Sequence, residues 1–116
     1  MHKYRELEIW KRAIDLTIDV YALCKNFPDD ERFGLTSQIK RAAVSIPSNI
    51  AEGAGRNSDK EFNQFLGIST GSMFEVETQL IIAEKLNYLT KDQAEKVMSK
   101  SNELVRMTKS LKNKLI

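Results

Sequence analysis

One cysteine and one histidine in 116 residues leave little room for metal or thiol chemistry. With Cys24 alone, no disulfide can close within the chain and no thiolate cluster can form, a usage that fits a reducing compartment. His2 stands at the amino terminus, so imidazole and thiolate together supply too few ligands for a structural or a catalytic zinc site. Lys and Arg number 18 against 16 Asp and Glu, and the formal net charge of +2 lacks the concentrated basicity of a dedicated nucleic-acid binder. No apolar run approaches the roughly 20 residues that span a bilayer. The opening segment, Met1 to Glu8, alternates charge where a secretory signal needs an unbroken apolar stretch. These absences predict a soluble, cytoplasmic protein with no cofactor, no small-molecule substrate and no membrane partner, folded as a single domain over residues 1–116.

What is present is helical periodicity. Trp10, Ala13, Ile14, Thr17, Val20, Tyr21 and Cys24 recur at spacings of three and four, which predicts a first helix from about Glu6 to Asn26 with Cys24 as a small core residue. Pro28 disfavours helical geometry in the residue before it, and Asp29 and Asp30 suit the start of the next helix, from about Glu31 to Arg56. That helix points Leu35, Ile39, Ala42, Ala43, Ile46 and Ile50 inward. Pro47 lies within it, lacks the amide that would bond the carbonyl of Ala43, and predicts a bend, since an interior proline costs roughly 3 kcal/mol. Gly53 and Gly55 then end the helix.

Ser58 to Glu61 reads as a capping box opening a third helix to about Asn87, with Phe62, Phe65, Leu66, Ser69, Met73, Val76, Leu80, Ala83 and Leu86 on its apolar side. A second box, Thr90 to Gln93, opens a fourth helix that carries Ala94, Val97, Met98, Ser101, Leu104, Val105, Thr108, Leu111 and Leu115 to the end of the chain. No segment shows strand alternation with turn spacing. The expected fold is therefore all-α, an antiparallel up-down four-helix bundle with a proline bend in helix 2.

Such bundles can hold two iron ions between inward glutamates and Glu-x-x-His pairs. Glu75, Glu77 and Glu84 fall beside the apolar stripe without a histidine, so that chemistry is not expected, and no nucleophile is paired with a base. Gly67 and Gly71 form a small-residue patch, read as packing against a neighbouring helix of the same chain, with a contact between subunits as the alternative. Helix two carries the most informative polar pattern. At 100° per residue Arg41, Ser45, Ser48, Asn49, Glu52 and Arg56 share one side. Short hydroxyl and amide side chains are poor choices for a merely wet helix face, so this is the candidate partner or subunit-contact stripe. Arg32, Lys40 and Arg41 occur in a stretch without acids, and basic residues also gather from Lys96 onward. Candidate nucleic-acid contacts are Lys40, Arg41, Arg56, Lys60, Lys96 and Lys100.

The segments Leu7-Glu-Ile-Trp10-Lys-Arg-Ala13, Phe27-Pro28 through Gly34 to Ala43, and Ser45-Ile-Pro-Ser-Asn-Ile-Ala-Glu-Gly53, followed by Gly-Arg-Asn-Ser58 and Glu61-Phe62, resemble the four-helix-bundle family named after proteins encoded in 23S rRNA intervening sequences, the S23 ribosomal protein-like family. The similarity runs over essentially the whole chain. It implies a bundle that assembles into a ring-like homo-oligomer, typically a pentamer. It also implies kinship with the accessory protein of diversity-generating retroelements, a basic bundle associated with nucleic acid and a reverse transcriptase. The function expected from residues and resemblance together is a non-enzymatic, self-assembling bundle that binds RNA or a ribonucleoprotein partner. The alternative is a structural protein-protein interaction module.

Overall fold

The computed structural model describes residues 1–115, so the expected domain and fourth helix are followed up to Leu115, and Ile116 lies outside the described residues. Four helices make the fold: α1 (Glu8–Cys24), α2 (Leu35–Ala54), α3 (Asp59–Lys85) and α4 (Lys91–Lys114), with single 3-10 turns at Tyr4–Glu6 and Asp29–Glu31. No strand occurs among the described residues. Each helix packs on its two neighbours, α2 and α3 most extensively, and α1 closes the square against α4. Facing residues run in opposite directions. Thr17 and Tyr21 of α1 meet Ala43 and Lys40 of α2, while Phe65 and Ser69 of α3 meet Gly53 and Ile46 of α2. Neighbouring helices are thus antiparallel.

Local chemistry explains where the helices stop. Ser58 Oγ accepts the Glu61 amide at 3.2 Å, which is one half of the expected box, the return bond from Glu61 being absent. Thr90 and Gln93 complete theirs in both directions, at 3.1 and 2.9 Å. The end of α3 is a Schellman turn: Asn87 takes φ 64°, which asparagine tolerates, and the amides of Asn87 and Tyr88 return to the carbonyls of Glu84 and Ala83. The end of α2 is closed from outside, because the His2 amide donates to the Ala54 carbonyl at 2.8 Å.

Two expectations about α2 need correction. The helix begins at Leu35, four residues later than the acidic turn suggested, because Gly34 leaves the helical region and the Glu31 side chain caps Leu35 from upstream. Gly53 does not end the helix. It lies inside it, buried, where a Cβ would come within 2.5 Å of the Phe65 Cβ, so glycine sets the close approach of α2 to α3.

The core fills with Leu16, Val20, Ile39, Ile46, Ile50, Phe62, Leu66, Met73, Val76, Leu80 and Leu104, all essentially inaccessible to water. The α1 stripe is rotated slightly from expectation. Ile9 and Leu16 are buried, Trp10 and Ile14 are half-buried, and Tyr21 is 42% exposed. On α3, Phe65 is half-buried and Leu86 exposed. Cys24 is a core residue as expected, and burial pushes its thiol above the ordinary range, against a smaller opposing pull from Lys40.

The helix runs without interruption through Pro47, so the backbone must answer for one lost donor. The carbonyl of Ala43 is the acceptor that Pro47 cannot serve. Thr17 Oγ1, buried on α1, lies 3.1 Å from that carbonyl and 2.8 Å from the carbonyl of Ala13, so its single proton is shared between them. A polar side chain in the α1 stripe is thereby explained by a proline in α2. Thr17→Val should destabilise the protein by about 1–3 kcal/mol, the cost of stranding a buried carbonyl, whereas in a Pro47→Ala background the same change should cost well under ~1 kcal/mol. Denaturant melts of the four proteins in this cycle measure the difference, and equal costs in both backgrounds would refute the pairing.

Candidate nucleic-acid interface

The polar stripe of α2 divides once its neighbours are in place. Ser45 and Asn49 turn into the groove against α3, where Ser45 Oγ and Ser72 Oγ lie 2.8 Å apart and Asn49 Nδ2 donates to the Ser45 hydroxyl and carbonyl at 2.9 and 2.8 Å. One proton per link suffices if Asn49 donates to Ser45, Ser45 to Ser72, and Ser72 to the Ile68 carbonyl at 3.4 Å. Arg41, Ser48, Glu52 and Arg56 stay exposed. Glu52 and Arg56 pair at 3.5 Å, and the Arg56 guanidinium also lies 4.8 Å from the Phe65 ring centroid.

The six candidate nucleic-acid contacts do not share one surface. Lys96 and Lys100 belong to α4, where Lys100 bridges to Asp19 and Lys96 borders a recess with Asp19, Asp92 and Glu95, a neighbourhood of mixed sign. Arg56 and Lys60 stand at the junction of α2 and α3, beyond the end of α2 that lies about 20 Å along the helix from Arg41. Lys40 and Arg41 instead join Arg32 at the opposite end of α2. Among the described residues, none of these three cations has a carboxylate within ion-pair distance.

Aromatic rings that sequence reasoning missed sit among them. Phe33 is 89% exposed, with the Arg32 guanidinium 5.5 Å from its centroid. Tyr21, expected in the core, carries the Lys40 ammonium 4.9 Å from its centroid. Val44 lines the same recess as the two rings, and Lys11, Ile18 and Lys25 extend the exposed Tyr21 side of α1 at helical spacing. A signal existed in the adjacent Arg32 and Phe33 just before Gly34, since an aromatic in a tight turn has little core to enter.

The Arg32–Phe33 turn is held in place. Arg32 and Gly34 amides return to the Asp29 and Glu31 carbonyls, and the Glu31 carboxylate accepts both the Leu35 amide at 3.0 Å and the Tyr88 hydroxyl at 2.8 Å. The Leu35 amide, and secondarily Tyr88, hold the Glu31 carboxyl below its ordinary range; the same bond to Glu31 raises Tyr88.

The outward side of α3 has a different character. Gly67, Ile68, Gly71, Phe74, Ile81 and Ile82 are exposed along it. The expectation that both glycines pack within the chain is corrected. A Cβ on Gly67 would meet only Lys112 Nζ, at 3.4 Å, and one on Gly71 would meet nothing within 4 Å. Among the inward-leaning glutamates, Glu77 accepts a bond from Ser101 at 2.6 Å, and no group of three or more potential ligands is placed to hold a metal ion among the described residues. No helix there is long and apolar enough to cross a membrane.

Architecture and surfaces together define a class, that of compact four-helix bundles whose distinguishing features lie on their outer faces. Within it, a family model described as 23S rRNA-intervening sequence protein matches residues 5–110, and the chain belongs to that family. A crystal structure of a protein of unknown function from the S23 ribosomal protein family of Bacteroides thetaiotaomicron is similar, with a TM-score of 0.82 and 24% identity over 89% of this chain and 96% of that one. At that identity the likeness is one of fold. No curated protein matches the chain.

The Glu31 clasp makes a test by pH. A depressed folded-state pKa contributes stability that is present above the ordinary glutamate value and lost as pH falls through the folded one. Glu31→Gln should therefore be less stable than the parent at neutral pH, and the gap should close below roughly pH 4.3, the unperturbed glutamate value. A gap independent of pH between 7 and the acid limit would show that the charge of Glu31 is irrelevant.

Proposed function

We propose that this protein is a non-enzymatic bundle that assembles with copies of itself and binds RNA or a ribonucleoprotein partner. One observation carries the reading: the exposed Arg32 and Arg41 and the half-buried Lys40 form a cationic cluster without carboxylate partners among the described residues, in a chain whose other cations are in several cases paired. Arg32 and Lys40 lie against aromatic rings, which do not neutralise them, so the charge of the cluster remains available to phosphates. The name of the family, attached to rRNA genes, supports RNA as the polyanion. A single chain presents few such charges, and repetition around a homo-oligomer, a pentamer by the family resemblance, would multiply them into a continuous field.

Structured rRNA fragments should bind with a steep salt dependence, strongest near about 50 mM, and the double change Lys40→Glu with Arg41→Glu should remove most of that affinity, while Lys96→Glu with Lys100→Glu removes less. Electrophoretic or anisotropy titrations across salt concentrations read this directly. Absence of affinity above background at about 50 mM salt overturns the proposal.

The second reading, a protein-protein interaction module without nucleic acid, is favoured by the exposed apolar residues and open glycines of α3. Phe74→Glu should lower the solution mass measured by light scattering if copies meet through this face. An unchanged mass assigns the face to another role.

A further inference from the structure

We infer that the corner between α1 and α2 is a stacking platform for single-stranded RNA, with Phe33 and Tyr21 receiving unpaired bases and Arg32, Lys40 and Arg41 receiving the phosphates between them. This rests on the RNA-binding reading and narrows it to a strand state.

Phe33 is the starting point. A phenyl ring 89% open to water forgoes the stabilisation that burial would contribute, and nothing within the described chain covers it. The ring is also not on a loose tip. Its turn is pinned by backbone bonds to Asp29 and Glu31 and by the double acceptance of Glu31, which ties it to Leu35 on one side and Tyr88 on the other. An exposed aromatic on a fixed support loses little entropy when a flat partner settles on it. Tyr21, across the same recess, is the second ring, and it is held by a different helix.

Charge decides between partners. A protein surface docking on exposed rings asks for an apolar floor and a rim that is neutral or mixed. Here Arg32 and Lys40 lie directly against the two rings, and Arg41 lines the same recess with them. Of the acids in the neighbouring turn, Glu31 is engaged away from the recess, bonding Tyr88. One acid, Glu75, shares the adjoining recess on the α3 side with Arg41 and Phe33, on the side of the ring away from Tyr21. Rings alternating with unpaired cations match the alternation of base and phosphate along an unpaired strand, in which every base offers a π-face. A duplex keeps its bases inside and would leave both rings unused.

The test compares a short labelled oligouridine with a fully paired RNA stem of equal charge, titrated against the full chain by fluorescence anisotropy. The parent should favour the unpaired strand. Phe33→Ala and Tyr21→Ala should each weaken that strand about five- to a hundredfold with the salt slope unchanged, leaving the stem unaffected, whereas Lys40→Glu should reduce the slope for both. Tyr21→Phe, which keeps the ring, should retain affinity. Photocrosslinking with iodouridine should map to Phe33 or Tyr21. Because Phe33 is 89% exposed, circular dichroism of Phe33→Ala should match the parent, so any loss of affinity is not a loss of fold. If both alanine variants bind the oligouridine like the parent while Lys40→Glu weakens it, RNA binding stands and the platform is refuted. If Phe33→Ala changes the solution mass and not the affinity, the ring is a contact between copies and the platform is equally refuted. If the parent binds neither RNA, the reading beneath it fails.

Discussion

Close approach of α2 to α3 and α1 is the constraint on which the remaining structure depends. A glycine at position 53 lets the α2 backbone come against Phe65, and a Cβ there would stand 2.5 Å from the Phe65 Cβ. Once the helices are that near, backbone polar groups on α2 fall within reach of side chains on both sides. Ser69 donates to the Ile46 carbonyl at 2.9 Å, and Thr17 reaches the Ala43 carbonyl that Pro47 leaves without its helical donor. Buried carbonyls without partners are costly, so the proline is tolerable because two flanking helices supply hydroxyls beside it. The Asn49, Ser45 and Ser72 chain belongs to the same seam. A helix that is rich in small polar residues thus becomes the best-tied element of the bundle.

With the interior filled by aliphatic and aromatic side chains, differences in function have to be sought on the faces. Two faces stand apart. The corner of α1 and α2 combines unpaired cations with exposed rings, and α3 offers apolar side chains and open glycines. They lie on different sides of α2, so one can serve association between copies while the other stays available to a polyanion.

The Glu31 side chain links local folding to the first of these faces. It caps a helix that lacks a capping residue of its own and bonds a tyrosine from the far loop. The Arg32 and Phe33 side chains therefore project from a turn fixed at several points. Presentation of an exposed ring from such a turn follows from the same bonds that start α2.

Spacing in the sequence determined the helices: apolar residues at three and four, Thr90 with Gln93, Ser58, and the Pro28 and Gly55 punctuation are local signals that act through neighbouring backbone groups. Inward positions of α2 were legible for the same reason, since Leu35, Ile39, Ala42, Ala43, Ile46 and Ile50 are all buried. The candidate surfaces were legible only in part, because whether a borderline residue is covered depends on a neighbour far away in the chain. Tyr21 shares its period with core residues and lies outside; Ser45 and Asn49 share theirs with Arg41 and Glu52 and turn in; Lys40 and Lys100 look alike in sequence, yet only one finds a carboxylate. Tertiary structure decided these, since burial and ion pairing are properties of two surfaces meeting, and one strand of sequence describes a single side of that meeting.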